Sequence, residues 1–404
     1  MGGCRFTLYR VISGESQEGS ALKDLYILSL HLAYGGLQKA VAEFANLMAE
    51  HYQVHILSFY NMPLGPAYPI DSRVQIQYLY DDIPNREEFR EALAGRKLPA
   101  VLREGLRAAK TLIAKRLCII QAIRSISSGI IVGTRDEHAV MLSRYGRKNV
   151  VKIAQFHEDH GYKKDLVRHF THDYGNIDLF VLLSPKMVEE VKEIMKENHH
   201  TRVVYIPNFI RDIPAEASQE KKKKVVIAAG RLHPVKGFDR LIESFAALHP
   251  SFPEWSLKIV GDGEEYHSLQ EKIAACEAEE YIMLAGRYTA EEIEAAMAEA
   301  SVYALSSHSE GFPFVLMEAM AGSLPIVAYE TRGGLGMMVK DGETGFLVHN
   351  REQFEEKLAL LMWDGELRTA MGRASRTALQ AFTAETVGGQ WVELIEELCN
   401  AKES

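Results

Sequence analysis

Short apolar runs alternate with segments of helical period from Asp24 to Val348, and no hairpin dipeptide joins neighbouring runs. Strands that never meet through a tight turn pair in parallel, and each parallel crossover needs an intervening helix. The alternation therefore restricts the chain to an α/β fold whose sheets are covered on both faces. At 404 residues the chain is too long for one ordinary core, and it implies two units of roughly 200 residues each. The pattern predicts strands over 24–30, 53–59, 73–80, 128–133, 149–156, 178–183 and 202–206. After a polar linker over 210–224 it predicts more over 225–229, 255–261, 281–285, 301–305 and 323–328. Helices are predicted over 351–379 and 384–401. The expectation is two doubly wound, Rossmann-like domains facing each other across a cleft, over 23–209 and 210–383. Residues 1–22 break every period and are expected to form a flexible tail.

Composition removes several classes. A net charge of −9 argues against a general nucleic-acid binder. Cys4, Cys118, Cys276 and Cys399 are far apart with no metal-type spacing, which predicts a reduced, cytoplasmic setting and no metal site. No apolar run is long enough to span a bilayer and no signal-peptide core opens the chain. Any lipid-linked substrate would then require peripheral attachment at the inner membrane face. One region offers such a contact: 86–124 carries ten Lys or Arg against four Asp or Glu. On a helix, Arg96, Arg103, Arg107 and Lys110 fall within roughly 60° of each other. Leu98, Leu102, Ala109 and Ile113 lie opposite, so the bland expectation is an apolar face on the sheet and a solvated basic face. The functional expectation is that the basic face meets anionic headgroups or an anionic acceptor.

The densest chemistry lies in Ser306-Ser-His-Ser-Glu310-Gly-Phe-Pro-Phe-Val-Leu-Met-Glu318. A strand precedes it and a helix is expected from Phe314, with Pro313 at its first position. Glu310 then sits on the loop beyond the strand and Glu318 about two turns into the helix. The free N–H groups at the helix start, around Gly311, Phe312 and Phe314, suit an anion. Two carboxylates flanking a phosphate-type helix start point to a nucleotide-sugar site. Alone, they also fit an acid/base pair for glycoside hydrolysis. Earlier, Gly230-Arg231-Leu-His-Pro-Val-Lys236-Gly237 places a guanidinium and an ammonium in a strand-to-helix loop, which suits a diphosphate. The spacing is not that of a Walker loop. Gly35-Gly36 opens the first domain's first helix and allows close approach of a ligand. His157 ends a strand beside Glu158 and Asp159, where open α/β sheets hold ligands.

These motifs resemble the retaining glycosyltransferases of family 4, which have the GT-B fold. The likeness runs from about Asp24 onward and is strongest over 225–348. The family's Gly-Arg-Leu…Lys-Gly-Phe-Asp run stands at Gly230 to Asp239, its E-x7-E motif at Glu310 and Glu318, and its Asp-Gly-x-x-Gly-Phe-Leu-Val run at Asp341 to Val348. Pro207-Asn208 matches the family's segment before the linker. Phe382-Thr…Trp391 resembles the terminal helix that crosses back onto the first domain, here 384–404.

The resemblance implies roles. Arg231 and Lys236 would clamp the donor diphosphate, Glu318 the ribose hydroxyls, and Glu310 the transferred sugar. Backbone groups of Gly311, Phe312, Pro313 and Phe314 would line the donor, and Gly286 and Arg287 would contact the base. Gly35 and Gly36 would complete the phosphate pocket, and His157 would line the reaction centre. The implied activity is metal- and cofactor-free, retaining hexosyl transfer from a nucleotide-diphosphate sugar. UDP is favoured over GDP-mannose, and the acceptor would be a glycan or lipid-linked molecule of polysaccharide or glycoconjugate synthesis. The chain departs from the family at Gly333-Gly-Leu-Gly-Met, where many members carry Pro-x-Glu, and at Leu37-Gln38, where Ala-Glu is common. The competing readings are a hydrolysing sugar-nucleotide epimerase and a non-catalytic partner subunit of the same fold.

Overall fold

The computed structural model describes residues 22–81, 85–157, 163–215 and 222–403. The predicted tail, apart from Leu22, lies outside the described residues, as do Glu158 and Asp159. Seven parallel strands form the first sheet: β1 (Asp24–Ser29), β2 (Gln53–Tyr60), β3 (Gln75–Tyr80), β4 (Ile130–Gly133), β5 (Val151–Gln155), β6 (Leu179–Leu182) and β7 (Arg202–Tyr205). Their order is β3-β2-β1-β4-β5-β6-β7. Six parallel strands form the second: β8 (Val225–Ala229), β9 (Ser256–Val260), β10 (Ile282–Leu284), β11 (Val302–Leu305), β12 (Ile326–Tyr329) and β13 (Gly345–Val348). Their order is β10-β9-β8-β11-β12-β13. Each sheet winds outward in both directions from one switch, between β1 and β4 and between β8 and β11. Crossovers leave such a switch on opposite faces, so a crevice opens at the strand ends there.

The inner strands of both sheets are buried on both faces, as their continuous apolar runs require, while the edge strands β3, β7 and β10 are partly exposed. One face of the first sheet packs around Phe156, Phe170, Tyr174 and Phe180. On the other face Val41 and Phe44, from the Gly36–Met48 helix, meet Val387, Trp391 and Ile395 from the last helix, Ala384–Glu403. The Phe44 and Trp391 rings lie 4.7 Å apart. That helix follows Phe382, which packs beneath the second sheet at Phe312. The chain end thus ties the two sheets together. Ile210 N–H donates to Phe382 O at 3.0 Å, and Ala384 N–H to Ile210 O at 3.0 Å, where the chain first leaves the first sheet.

Two expectations need correction. The helix expected over 351–379 is two helices, Arg351–Trp363 and Gly365–Ala378. Asp364 breaks it: its side chain caps the second helix by accepting from Leu367 N–H at 2.9 Å. The basic region forms two helices, Arg86–Ala94 and Leu98–Ser125, and Arg96 sits in the turn between them with φ +50°. The longer helix does not bury the face bearing Leu98, Leu102, Ala109 and Ile113. It packs through Thr111, Cys118, Ile119 and Ile123, and Glu104 is buried with them. The Glu104 carboxylate accepts from Asn85 Nδ2 at 2.8 Å and from Arg103 Nε at 2.8 Å, so its burial is compensated.

Replacing Trp391 with alanine empties the joint between the last helix and the first sheet. A buried Trp→Ala change costs about 3–5 kcal/mol. Thermal denaturation of Trp391→Ala is expected to show a midpoint several degrees lower; an unchanged midpoint would show that the last helix is not part of the first domain's core.

Candidate active site

The second sheet's switch brings two loops together. Pro234–Lys236 is one turn of 3-10 helix after β8, and Glu310 lies in the loop after the neighbouring β11. Gly237 makes the junction. Its φ is +59°, and a Cβ there would stand 2.3 Å from Ser306 O. Only glycine fits both demands. Ser306 Oγ donates to Lys236 O at 2.9 Å, and His308 N–H to Val235 O at 2.8 Å. Arg240 locks the same segment, its guanidinium donating to Ser306 O and Ser307 O at 2.7 Å each. Lys236 Nζ thereby meets Glu310 Oε1 at 2.6 Å, and Ser307 Oγ donates to the same oxygen at 2.5 Å. Glu310 is buried.

Glu318 lies on the Phe314–Ala321 helix, just over one turn from its start rather than two. Pro313 is the extended residue before that helix and not its first member. Glu318 Oε1 is ion-paired with Lys39 of the first domain's Gly36–Met48 helix, so this contact crosses the cleft. Burial works against the Lys39 charge, but the Glu318 carboxylate outweighs it and leaves the Lys39 pKa raised. Glu318 Oε2 is buried without a partner among the described residues. An unsatisfied buried carboxylate oxygen beside a cleft is a place for a hydroxyl donor.

The remaining predicted residues are distributed around this centre. Arg231 is exposed after β8 and makes no ion pair among the described residues. Gly286 O accepts from Gly261 N–H at 2.8 Å, so that carbonyl is already engaged. Arg287 bonds Asp262 Oδ2 at 3.0 Å and lies 5.0 Å over the Tyr34 ring, reaching towards the first domain. Gly35 precedes the Gly36–Met48 helix, and a Cβ on Gly36 would meet nothing within 4 Å. Phe312 O accepts from Asn208 Nδ2 at 3.2 Å, which couples the Pro207-Asn208 segment to the Glu310 turn. His157 and Asn208 border one small recess with Ala40, Glu43 and Phe314, so the histidine and the helix start share a space. His157 Nε2 is 3.1 Å from Gln155 Oε1, and its Nδ1 is buried without a partner among the described residues. Burial pushes its pKa down to about 4. Among the described residues no group of three or more His, Cys, Asp or Glu could hold a metal.

Two features escaped the sequence reading. Lys39 directly follows Gly-Gly-Leu-Gln, and a cation one turn into a helix that opens on a cleft was the available signal. Gly333-Gly334, where the family pattern fails, presses on the Glu310 turn. A Cβ on Gly333 would lie 2.0 Å from Glu310 O, and one on Gly334 would lie 2.4 Å from Phe312 Cδ2. The adjoining Arg332 pairs with Glu190 of the first domain at 2.8 Å.

Residues 209–378 match the family described as Glycosyl transferases group 1. TarM of S. aureus, solved in complex with UDP among other ligands, superposes with a TM-score of 0.73 over 93% of this chain and 100% of that one, at 14% identity. The fold is GT-B. By sequence, the chain is 26% identical over 373 residues to the amylovoran biosynthesis glycosyltransferase AmsD of Erwinia amylovora, covering 89% of this chain and 96% of AmsD. It is 27% identical over 395 residues to an exopolysaccharide phosphotransferase of Streptomyces coelicolor, covering 95% of this chain and 41% of that protein. The chain spans 41% to 58% of the length of the first curated relatives it matches. These likenesses support a glycosyltransferase. No helix among the described residues is long and apolar enough to cross a membrane.

The state of His157 can be measured directly. A histidine whose folded pKa lies below its unfolded value of about 6.5 favours the neutral form. That preference contributes stability above pH 6.5 or so, and the contribution is lost as pH falls through about 4. Histidine NMR is expected to show the His157 ring neutral from pH 8 to 5, losing that state only near 4. Titration near 6.5 would mean the ring is open to water.

Proposed function

We propose that the protein is a retaining, metal-independent hexosyltransferase of family 4 that moves a sugar from a nucleotide-diphosphate donor to a glycan or lipid-linked acceptor. UDP-sugar is the favoured donor. The observation that carries this reading is the pair of lysine–glutamate contacts, Lys236–Glu310 and Lys39–Glu318, on one turn and one helix at the cleft. An acid/base pair for hydrolysis would need carboxylates free to exchange protons. Here both are bound to cations, which suits groups that hold a donor. UDP in the TarM complex and the biosynthetic role named for AmsD agree with the donor and acceptor classes.

In this reading the donor diphosphate draws Lys236 from Glu310 and is clamped between Lys236 and Arg231, over the N–H groups that open the Phe314–Ala321 helix. The ribose hydroxyls take the partnerless Oε2 of Glu318. Glu310, released from Lys236, accepts from hydroxyls of the transferred sugar, and the base rests near Gly286, Arg287 and the Tyr34 ring. Neutral His157 offers a hydrogen bond to the sugar. The acceptor hydroxyl oxygen bonds to the anomeric carbon on the face from which the diphosphate departs. As the carbon–oxygen bond to the diphosphate breaks, the hydroxyl proton passes to a departing phosphate oxygen. No protein carboxylate becomes a nucleophile, and the fixed cations stabilise the leaving charge.

Lys236→Ala and Glu310→Ala are expected to lower turnover by about 10²–10³-fold, the cost of losing one preorganised charge-stabilising group. The measurement is donor hydrolysis and transfer with UDP-, GDP- and ADP-sugars, after circular dichroism has established that each variant folds. Near-normal turnover in either folded variant would overturn the site assignment.

A further inference from the structure

The face of the Leu98–Ser125 helix that points away from the sheet is apolar. Leu98, Leu102, Leu106, Leu112, Ile113 and Leu117 are between 59% and 79% exposed. At 100° per residue Leu102, Leu106, Ile113 and Leu117 fall within about 60° of one another, directly opposite the buried face. Scattered exposed leucines need no explanation, but six on one helix form a contiguous patch of the kind that marks an interaction surface. Cations flank the stripe. Arg103 and Lys110 lie along one margin and Arg116 along the other. The only acidic residue of this helix is Glu104, which is buried and bonded to Asn85 and Arg103. Lys110 and Arg116 have no acidic partner among the described residues.

We propose that this face is an interfacial docking surface for an anionic lipid bilayer. An apolar stripe with a basic margin, lying flat along a helix, is the pattern of a chain that rests in the headgroup region without crossing the membrane. From Leu98 to Leu117 the stripe extends about 29 Å, enough for one continuous contact. Charge decides against a second copy as the occupant. A symmetric dimer would bring this face against itself and set the basic margins of Arg103, Lys110 and Arg116 against basic margins of the other copy. An anionic surface complements the same cations. Arg90, on the adjoining Arg86–Ala94 helix, lies 3.9 Å from Glu264 of the second domain, so the docked hairpin borders the cleft. The sequence assigned the basic face to the membrane and the leucines to the core. The structure turns the leucines outward and makes them the part that inserts.

This inference does not rest on the donor chemistry, and its test reads lipid binding alone. The full chain is mixed with vesicles of phosphatidylcholine, or of phosphatidylcholine with phosphatidylglycerol, and floated on a density gradient. Flotation is expected with the anionic vesicles at low salt and release at high salt. Leu102→Ser/Ile113→Ser and Lys110→Glu/Arg116→Glu are each expected to reduce the bound fraction about tenfold, while both keep the wild-type circular dichroism and thermal midpoint. The second pair tests the same face without touching an apolar side chain. Failure to float at low salt, or equal flotation of either variant, overturns the proposal. So does a wild-type dimer in light scattering that Leu102→Ser/Ile113→Ser converts to monomer, which would assign the face to a second copy.

Discussion

Glu310 is a buried carboxylate, and the way its charge is satisfied determines the arrangement around it. A buried charge needs a partner, and stripping one from such a pair costs about 3–5 kcal/mol. Lys236 supplies that partner because Gly237 can turn at φ +59° beneath Ser306 O and because Arg240 pins both loops. The same solution recurs on the helix that follows, where Glu318 is matched by Lys39 from the other domain. The two carboxylates of one short segment are thus held by two lysines, one from each side of the cleft. In the proposed reading a diphosphate competes for the cations and sugar hydroxyls replace them on the carboxylates, so that resting structure and donor binding would use the same charges.

What could be read from the sequence was local. The Glu310 and Glu318 spacing, the Gly230 to Asp239 run and the strand–helix alternation all lie within short stretches, and the two parallel sheets follow from that alternation. Contacts across long sequence distances were not readable. Lys39 and Glu318 are 279 residues apart, and no local pattern announces their meeting. Gly333 and Gly334 looked like a departure from the family motif. They are small because the Glu310 backbone lies against Gly333 and the Phe312 ring against Gly334, which only the folded chain reveals.

The Leu98–Ser125 helix teaches a different lesson. Periodicity reports which residues share a face, but it does not say which face turns inward. The ordinary assumption is that the leucine-rich side does. Here the sheet is met by Thr111, Cys118, Ile119 and Ile123, and Glu104 is buried with a full set of hydrogen bonds. A polar group satisfied by Asn85 and Arg103 made that inward face acceptable. The break at Asp364 was readable in principle, since an aspartate before glycine is a common helix cap, but the apolar period runs on through it.

The central claim is that Glu310 restrains Lys236 at rest and serves the sugar, not the diphosphate, once the donor arrives. Calorimetric titration of Glu310→Gln with UDP and with the UDP-sugar tests this most directly. The account predicts that UDP binds at least as tightly as to the wild type, because Lys236 is already released, and that the additional affinity contributed by the sugar disappears. A loss of about tenfold or more in UDP affinity itself, corresponding to roughly 1.4 kcal/mol, would contradict it and place Glu310 on the nucleotide.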